Sequence, residues 1–288
     1  MAVPARVNLY RLQMLRAVGG NARRMSHNAP VVPLLDVADR LGVIVMDEHR
    51  NYEESAEFLK AFRDLARRDR WRASVIMMSW CNEGGCSSSP ELADQMKQLS
   101  AEYAPHVVTT ANMIGNYGDE ESVDIDVQGF SHKGGSTFQQ FHQQFPKKPT
   151  IASECCSCEQ DRDELWPDKN HEGDFSGGCV AGQTNGVLDL NYTSGSYTWT
   201  LMDYFGEGHS YPRASSSFGQ FDLAGFSKAQ AYFYRYWWLQ NRNGSADAGV
   251  PPLKFPRNGI RIVEPWPTNS SHATTRAVTV MAQGATVV

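Results

Sequence analysis

Seven short strand-like runs alternate with helical segments along this chain, and that order constrains the fold more than any other feature of the sequence. The runs are 21–26, 43–46, 74–83, 106–109, 124–130, 150–153 and 196–202. Between them, 33–41, 54–70, 90–103 and 137–145 carry apolar residues at helical spacing; so do 7–18 before the first run and 228–239 after the last. Strand-helix alternation predicts an α/β protein with a parallel sheet. A closed barrel of this type has eight strands. The chain opens in a helix, so the expected fold is a (β/α)8 barrel over 1–250 that lacks its first strand. Residues 259–263 and 277–281 read as antiparallel strands, taken as the start of a C-terminal β-sandwich domain over 251–288. Both ends read as cuts through a longer protein.

Two of the runs end in glutamate. Ser74 to Asn82 leads into Glu83, and Pro149 to Ser153 leads into Glu154. A carboxylate directly after a barrel strand stands at the C-terminal rim, where such barrels keep their chemistry. Two carboxylates on different strands are what cleavage of a glycosidic bond requires. One serves as acid and then base; the other serves as nucleophile or base.

The net charge is −5, with 41% hydrophobic and 20% charged residues. There is no basic stripe interleaved with aromatics, so nucleic acid is not an expected partner. No apolar run reaches the length of a membrane span, and Met1 to Arg16 lacks the apolar core of a signal peptide. Four of the six cysteines (Cys81, Cys86, Cys155, Cys156, Cys158, Cys179) closely flank the two glutamates. They admit three readings: disulfides bracing rim loops, buried free thiols, or a metal site, although no trusted ligand spacing is present. The cysteines and the sequons at Asn191, Asn243 and Asn269 fit a secretory or extracellular history.

Four blocks, in order across residues 5 to 240, carry a family resemblance. They are Asn21 to Asn28 (NARRMSHN), Leu35 to Glu48 (LDVADRLGVIVMDE), Arg70 to Glu83 (RWRASVIMMSWCNE), and Trp199 to Glu207 with Phe218 to Phe226. They resemble the catalytic domain of glycoside hydrolase family 2, the family of β-galactosidases, β-glucuronidases and β-mannosidases. Arg72-Ala73 stands where His-Pro is usual. The resemblance implies a (β/α)8 barrel flanked by β-sandwich domains, hydrolysis with net retention, and a carbohydrate as the partner. It requires no organic cofactor, and no metal site is carried over. A homo-oligomer of the full-length parent is compatible with it.

On this resemblance Glu83 is the acid/base and Glu154 the nucleophile. Asn82 would bond the sugar 2-hydroxyl, Arg24 would lie by the nucleophile, and His27 would stand in the sugar pocket. Trp199 would offer a flat face to a pyranose ring. Asp47 and Glu48 close another strand; one of them should pair with Arg24, and Asp47 is included in the pocket. Family members often carry a tyrosine that donates to the nucleophile. Phe130 stands nearest that position and cannot donate, which leaves Ser131 or His132 to replace it. A terminal β-galactoside is the first expected substrate, with β-glucuronide and β-mannoside as rivals. No Asn-x-Lys element, the expected partner of a sugar carboxylate, follows the last strand. A second reading from another class is a non-catalytic carbohydrate-binding or inactive truncated remnant. A thiol-redox or zinc protein is a third, and it lacks a CxxC motif.

Overall fold

Helix signals and buried strand runs appear in the structure close to where the sequence puts them. The computed structural model describes residues 3–86, 89–118, 122, 124–160, 186–187, 190–208, 211–240, 260–262 and 280–282. These residues fall into two compact units. One comprises Met1–Leu12, Asn21–Cys156 and Gly182–Thr198; the other comprises Gln13–Gly20, Ser157–Ala181 and Trp199–Val288.

The first unit holds a single parallel sheet in sequence order. Its strands are β1 (Ala22–Arg24), β2 (Ile44–Glu48), β3 (Val75–Asn82), β4 (Val108–Met113), β5 (Val127–Ser131), β6 (Thr150–Cys155) and β7 (Thr193–Thr198). Each strand pairs with the next in parallel. The two edge strands, β1 and β7, approach each other. Among the described residues the sheet thus curls into a nearly closed barrel of seven strands, where a closed (β/α)8 barrel has eight.

The crossovers are amphipathic helices with identifiable ends. In α2 (Val32–Leu41), Pro33 stands in the first turn, and Gly42 closes the helix in the left-handed region at φ 63°. In α3 (Ala56–Asp69), the Ser55 hydroxyl accepts from Phe58 N at 3.1 Å. In α4 (Pro90–Tyr103), the Ser89 hydroxyl accepts from Leu92 N at 3.2 Å. Phe58, Phe62, Leu65 and Ala66 of α3, and Leu92, Ala93 and Met96 of α4, turn inward. In α5 (Gly135–Gln144), Phe138 and Phe141 pack on Phe130, with ring centroids 4.5 and 5.4 Å away. Gly129 on β5 has no room for a side chain, since a Cβ there would meet Ala111 O at 2.2 Å.

Three strands depart from the sequence expectation. β4 and β5 lie further along the chain than expected, and β7 begins before the expected run and ends at Thr198. Apart from Met113, the omitted residues are polar or small: Thr110, Ala111 and Asn112 on β4, Ser131 on β5, and Thr193 to Gly195 on β7. An apolar pattern cannot reveal a strand whose interior residues serve a polar site.

In the second unit Met14, Val18, Phe221 and Ala231 form a buried cluster with Leu201, Met202, Tyr232 and Trp238 packed against it. Ala231, Tyr232 and Trp238 belong to α6 (Ala229–Gln240). The buried Lys228 ammonium lies 3.0 Å from the Asp203 carboxylate and donates to Gln160 O and Ser217 O. β8 (Ile260–Ile262) and β9 (Val280–Ala282) pair antiparallel. The polar, Gly- and Asp-rich stretch 155–185 reads from sequence as a long rim loop; its part from 161 to 185, with Cys179, and also Asn243 and Asn269, lie outside the described residues.

Candidate active site

Six consecutive barrel strands each deliver a polar side chain at their C-terminal ends. Arg24 ends β1, Glu48 ends β2 and Asn82 ends β3, with Glu83 opening the 3-10 turn Glu83–Gly85. Asn112 comes from β4, Ser131 ends β5, and Glu154 lies near the end of β6. Parallel register keeps these ends level: Asn82 is opposite Asn112, and Ser131 is opposite Glu154.

Glu154 is 5% exposed and held on both oxygens. Its Oε2 accepts from Arg24 Nη1 and from Asn112 Nδ2 at 3.1 Å. Its Oε1 faces His132 Nε2 at 3.0 Å. Burial alone would raise this carboxyl. The His132 hydrogen bond and the Arg24 guanidinium outweigh burial and hold it at about 2. Glu154 therefore stays ionised in a nearly dry site.

Arg24 is the hub of the cluster. Besides Glu154, it bonds Glu48 with Nε at 2.6 Å and with Nη2 at 2.7 Å, and Asn82 Oδ1 with Nη2 at 2.8 Å. Burial disfavours its charge, yet the two glutamates raise its pKa above the ordinary value. His27 Nδ1 lies 3.0 Å from Glu48 Oε1 and 3.1 Å from Arg24 Nη2. The Asn82 carbonyl oxygen accepts from Arg24 and from Asn112 Nδ2 at 2.7 Å. That fixes the amide so that its NH2 has no hydrogen bond among the described residues.

Glu83 sits in the left-handed region at φ 50°, and so does His132 at φ 50°. Such backbones cost on the order of 1–3 kcal/mol each and persist where surroundings impose them. Here Glu83 O accepts from Cys86 N at 2.9 Å, and His132 N donates to Glu154 O at 2.8 Å. Ser131 Oγ donates to Glu83 Oε1 at 2.8 Å, and His132 Nε2 is 3.7 Å from that same oxygen. The Cys81–Cys86 disulfide closes the loop bearing Asn82 and Glu83. Cys155 and Cys156 are also joined, directly after Glu154. Among the described residues no cysteine is free.

One carboxylate oxygen each of Glu83 and Glu154, with one His132 nitrogen, lie within 4.8 Å of one another. A cation could be held at that spacing. Arg24 already places a positive charge beside Glu154. An oxygen–oxygen approach within 4.8 Å is shorter than the ~6.5–9.5 Å that leaves room for a water between two carboxyl groups.

Of the residues singled out from sequence, Arg24, His27, Asn82, Glu83, His132 and Glu154 converge here. Asp47 does not. Successive residues of a strand face opposite sides, so Glu48 turns to Arg24 while the Asp47 carboxyl turns away to Asp69. Burial, followed by the neighbouring Asp69 carboxyl, raises it well above its ordinary value. Trp199 belongs to the second unit, where its Nε1 donates to Tyr204 Oη at 3.1 Å. Phe130 is fully buried among Tyr117, Phe138 and Phe141. Of the two candidates to replace the tyrosine, His132 faces Glu154, beside the Arg24 and Asn112 donors, and Ser131 serves Glu83 instead. Asn112 escaped the sequence reading because it lies beyond the apolar run 106–109, in the polar half of β4.

No protein-family model matches the chain. Curated relatives do. "Beta-galactosidase BoGH2A" of Bacteroides ovatus is 29% identical over 84% of this chain and 37% of its own length. A "Putative beta-glucuronidase" of Formosa agariphila is 26% identical over 80% of this chain and 27% of its own. The chain thus spans little more than a third, or less, of these relatives. Among solved structures, a beta-glycosidase from Bacteroides vulgatus superposes with TM-score 0.74 at 19% identity, over 98% of this chain and 40% of that one. A glycosyl hydrolase family 2 member from Bacteroides cellulosilyticus gives TM-score 0.67 at 23% identity, over 82% of this chain and 31% of that one. At such identities the structural likeness concerns the fold. By sequence the chain is a relative of glycoside hydrolase family 2, and the part of that family it matches is the catalytic barrel.

Proposed function

We propose that this domain is a retaining β-glycosidase acting by double displacement. The observation that carries the reading is the pair Glu83 and Glu154, with carboxylate oxygens within 4.8 Å and contrasting surroundings. Glu154, ionised and buried, attacks the anomeric carbon; its C1–O bond forms as the bond to the aglycone oxygen breaks. Glu83 gives its proton to that oxygen. Glu83 then takes a proton from water, the water oxygen bonds C1, and the ester to Glu154 breaks. The free NH2 of Asn82 is the group available for a sugar hydroxyl, a contact that strengthens as the ring flattens.

For the sugar we propose a terminal β-D-galactoside, as the name of the Bacteroides ovatus relative suggests. β-Glucuronide is the second reading, favoured by the names of two curated relatives. Hydrolysis of a panel of β-linked nitrophenyl sugars, with Glu154→Gln as control, tests both. One sugar should turn over and the variant should lose that turnover. In Glu83→Ala, azide should restore turnover and yield the β-glycosyl azide, because it attacks the glycosyl-enzyme from the face the acid/base vacates. No turnover by a folded chain would instead favour a binding-only or inactive domain.

A further inference from the structure

His132 faces both glutamates with one nitrogen. Nε2 lies 3.0 Å from Glu154 Oε1 and 3.7 Å from Glu83 Oε1. Its backbone is tied to the same strand, since His132 N donates to Glu154 O at 2.8 Å. We propose that His132 is a mobile counter-ion: its imidazolium pairs with Glu154 in the free enzyme and passes to Glu83 once Glu154 is esterified by the sugar. The inference rests on the glycosidase reading and deepens it.

The charge count supports the assignment. The proposed reaction requires Arg24 and His132 as cations, Glu154 and its neighbour Glu48 as anions, and Glu83 carrying the proton it gives to the aglycone. These sum to zero. When the Glu154–C1 bond forms and the Glu83 proton leaves on the aglycone oxygen, Glu154 becomes a neutral ester and Glu83 an anion. The sum is again zero, and only the place of the negative charge has changed. A cation that follows the charge keeps the buried Glu154 paired while it is ionised and faces the half-buried Glu83 once that becomes the anion. A small side-chain rotation closes the 3.7 Å separation, and Ser131 Oγ already donates to the same Glu83 oxygen. Among the described residues, the charged groups facing His132 are Glu154 on β6, Glu83 after β3 and Arg24 on β1. The Glu154 hydrogen bond raises the imidazole's affinity for its proton, against burial and Arg24, which lower it.

His132 acts through the two glutamates, so it is a positioning residue. Activity that needs its cation is present below its raised pKa and is lost as pH rises through that value. His132→Gln keeps a donor without a titrating charge. It should lose less rate than His132→Phe and should lose the part of the alkaline fall that belongs to His132. Removing one donor of this kind lowers kcat by about 10²–10³-fold, the loss expected for His132→Phe in a chain whose thermal unfolding is unchanged.

The decisive readout is the titration of the His132 ring by nitrogen NMR in the full chain. In the free protein it should titrate above the ordinary ~6.5, and Glu154→Gln should lower it. After trapping with a 2-deoxy-2-fluoro-β-galactosyl or β-glucuronyl fluoride it should stay raised, and Glu83→Gln should lower it in the trapped form. A ring that ignores Glu154→Gln, or that falls to the ordinary value on trapping, overturns the proposal while leaving the glycosidase reading intact. A folded chain that neither fluoride labels and that hydrolyses no β-glycoside overturns that reading, and this proposal with it.

Discussion

Glu48 and Glu154, 106 positions apart on β2 and β6, share one arginine: Arg24 bonds both carboxylates from β1. All three side chains are buried, so the pairings depend on one another. Removing the cation of a buried pair costs about 3–5 kcal/mol, because a desolvated charge is left behind. Arg24→Ala leaves two. Urea unfolding at pH 7 should show a loss at least that large, whereas Arg24→Lys, which keeps the charge but not the fork, should fall between. Equal stability in all three proteins would contradict the hub role.

The acid side of the stability profile should belong to Glu154. Its folded pKa is depressed from 4.5 to about 2. The stabilisation is therefore full above about 4.5 and lost as pH falls toward 2. By linkage it amounts to something on the order of 3 kcal/mol. Urea unfolding between pH 6 and 2.5 should lose less stability with falling pH in Glu154→Gln than in the unaltered chain. The nucleophile should also impose no loss of kcat/KM above about pH 3.

The Cys81–Cys86 disulfide closes a five-residue separation around Glu83. Loop-closure entropy gives such a cross-link about 2 kcal/mol. Replacing both cysteines by serine should lower the unfolding free energy by about that amount. It should also lower kcat more than it alters KM, since the loop orients Glu83. Unchanged kcat in the doubly substituted chain would separate the disulfide from the chemistry.

Phe130 should matter for stability and not for the nucleophile. It is fully buried, with Phe138 and Phe141 on one side and Tyr117 on another. Phe130→Ala should cost about 3–5 kcal/mol and leave KM near the parent value. Thermal unfolding beside steady-state kinetics measures both.

Much of this was legible in the sequence, for physical reasons. Glu83 and Glu154 stood out because an apolar strand run ends at each, and the barrel rim follows from that. Arg24, His27 and Asn82 came from ordered blocks rather than from any local pattern. What failed was facing. Asp47 and Glu48 are adjacent, and the sequence alone could not say which turns inward. A one-residue change of register exchanges their sides. Ser131 and His132 posed the same problem: both donate, one to each glutamate. The polar interiors of β4 and β7 also hid their extents, since strand patterns are read from apolar residues.

The most direct test is to trap the covalent intermediate. A 2-deoxy-2-fluoro β-glycosyl fluoride of the sugar that turns over should add one fluorosugar to the intact mass. Peptide mapping should place it on Glu154, in the segment that ends β6, and Glu154→Gln should take up none. A label on Glu83 or elsewhere, or a hydrolysing chain whose first-formed sugar is the α-anomer, would contradict the double-displacement assignment.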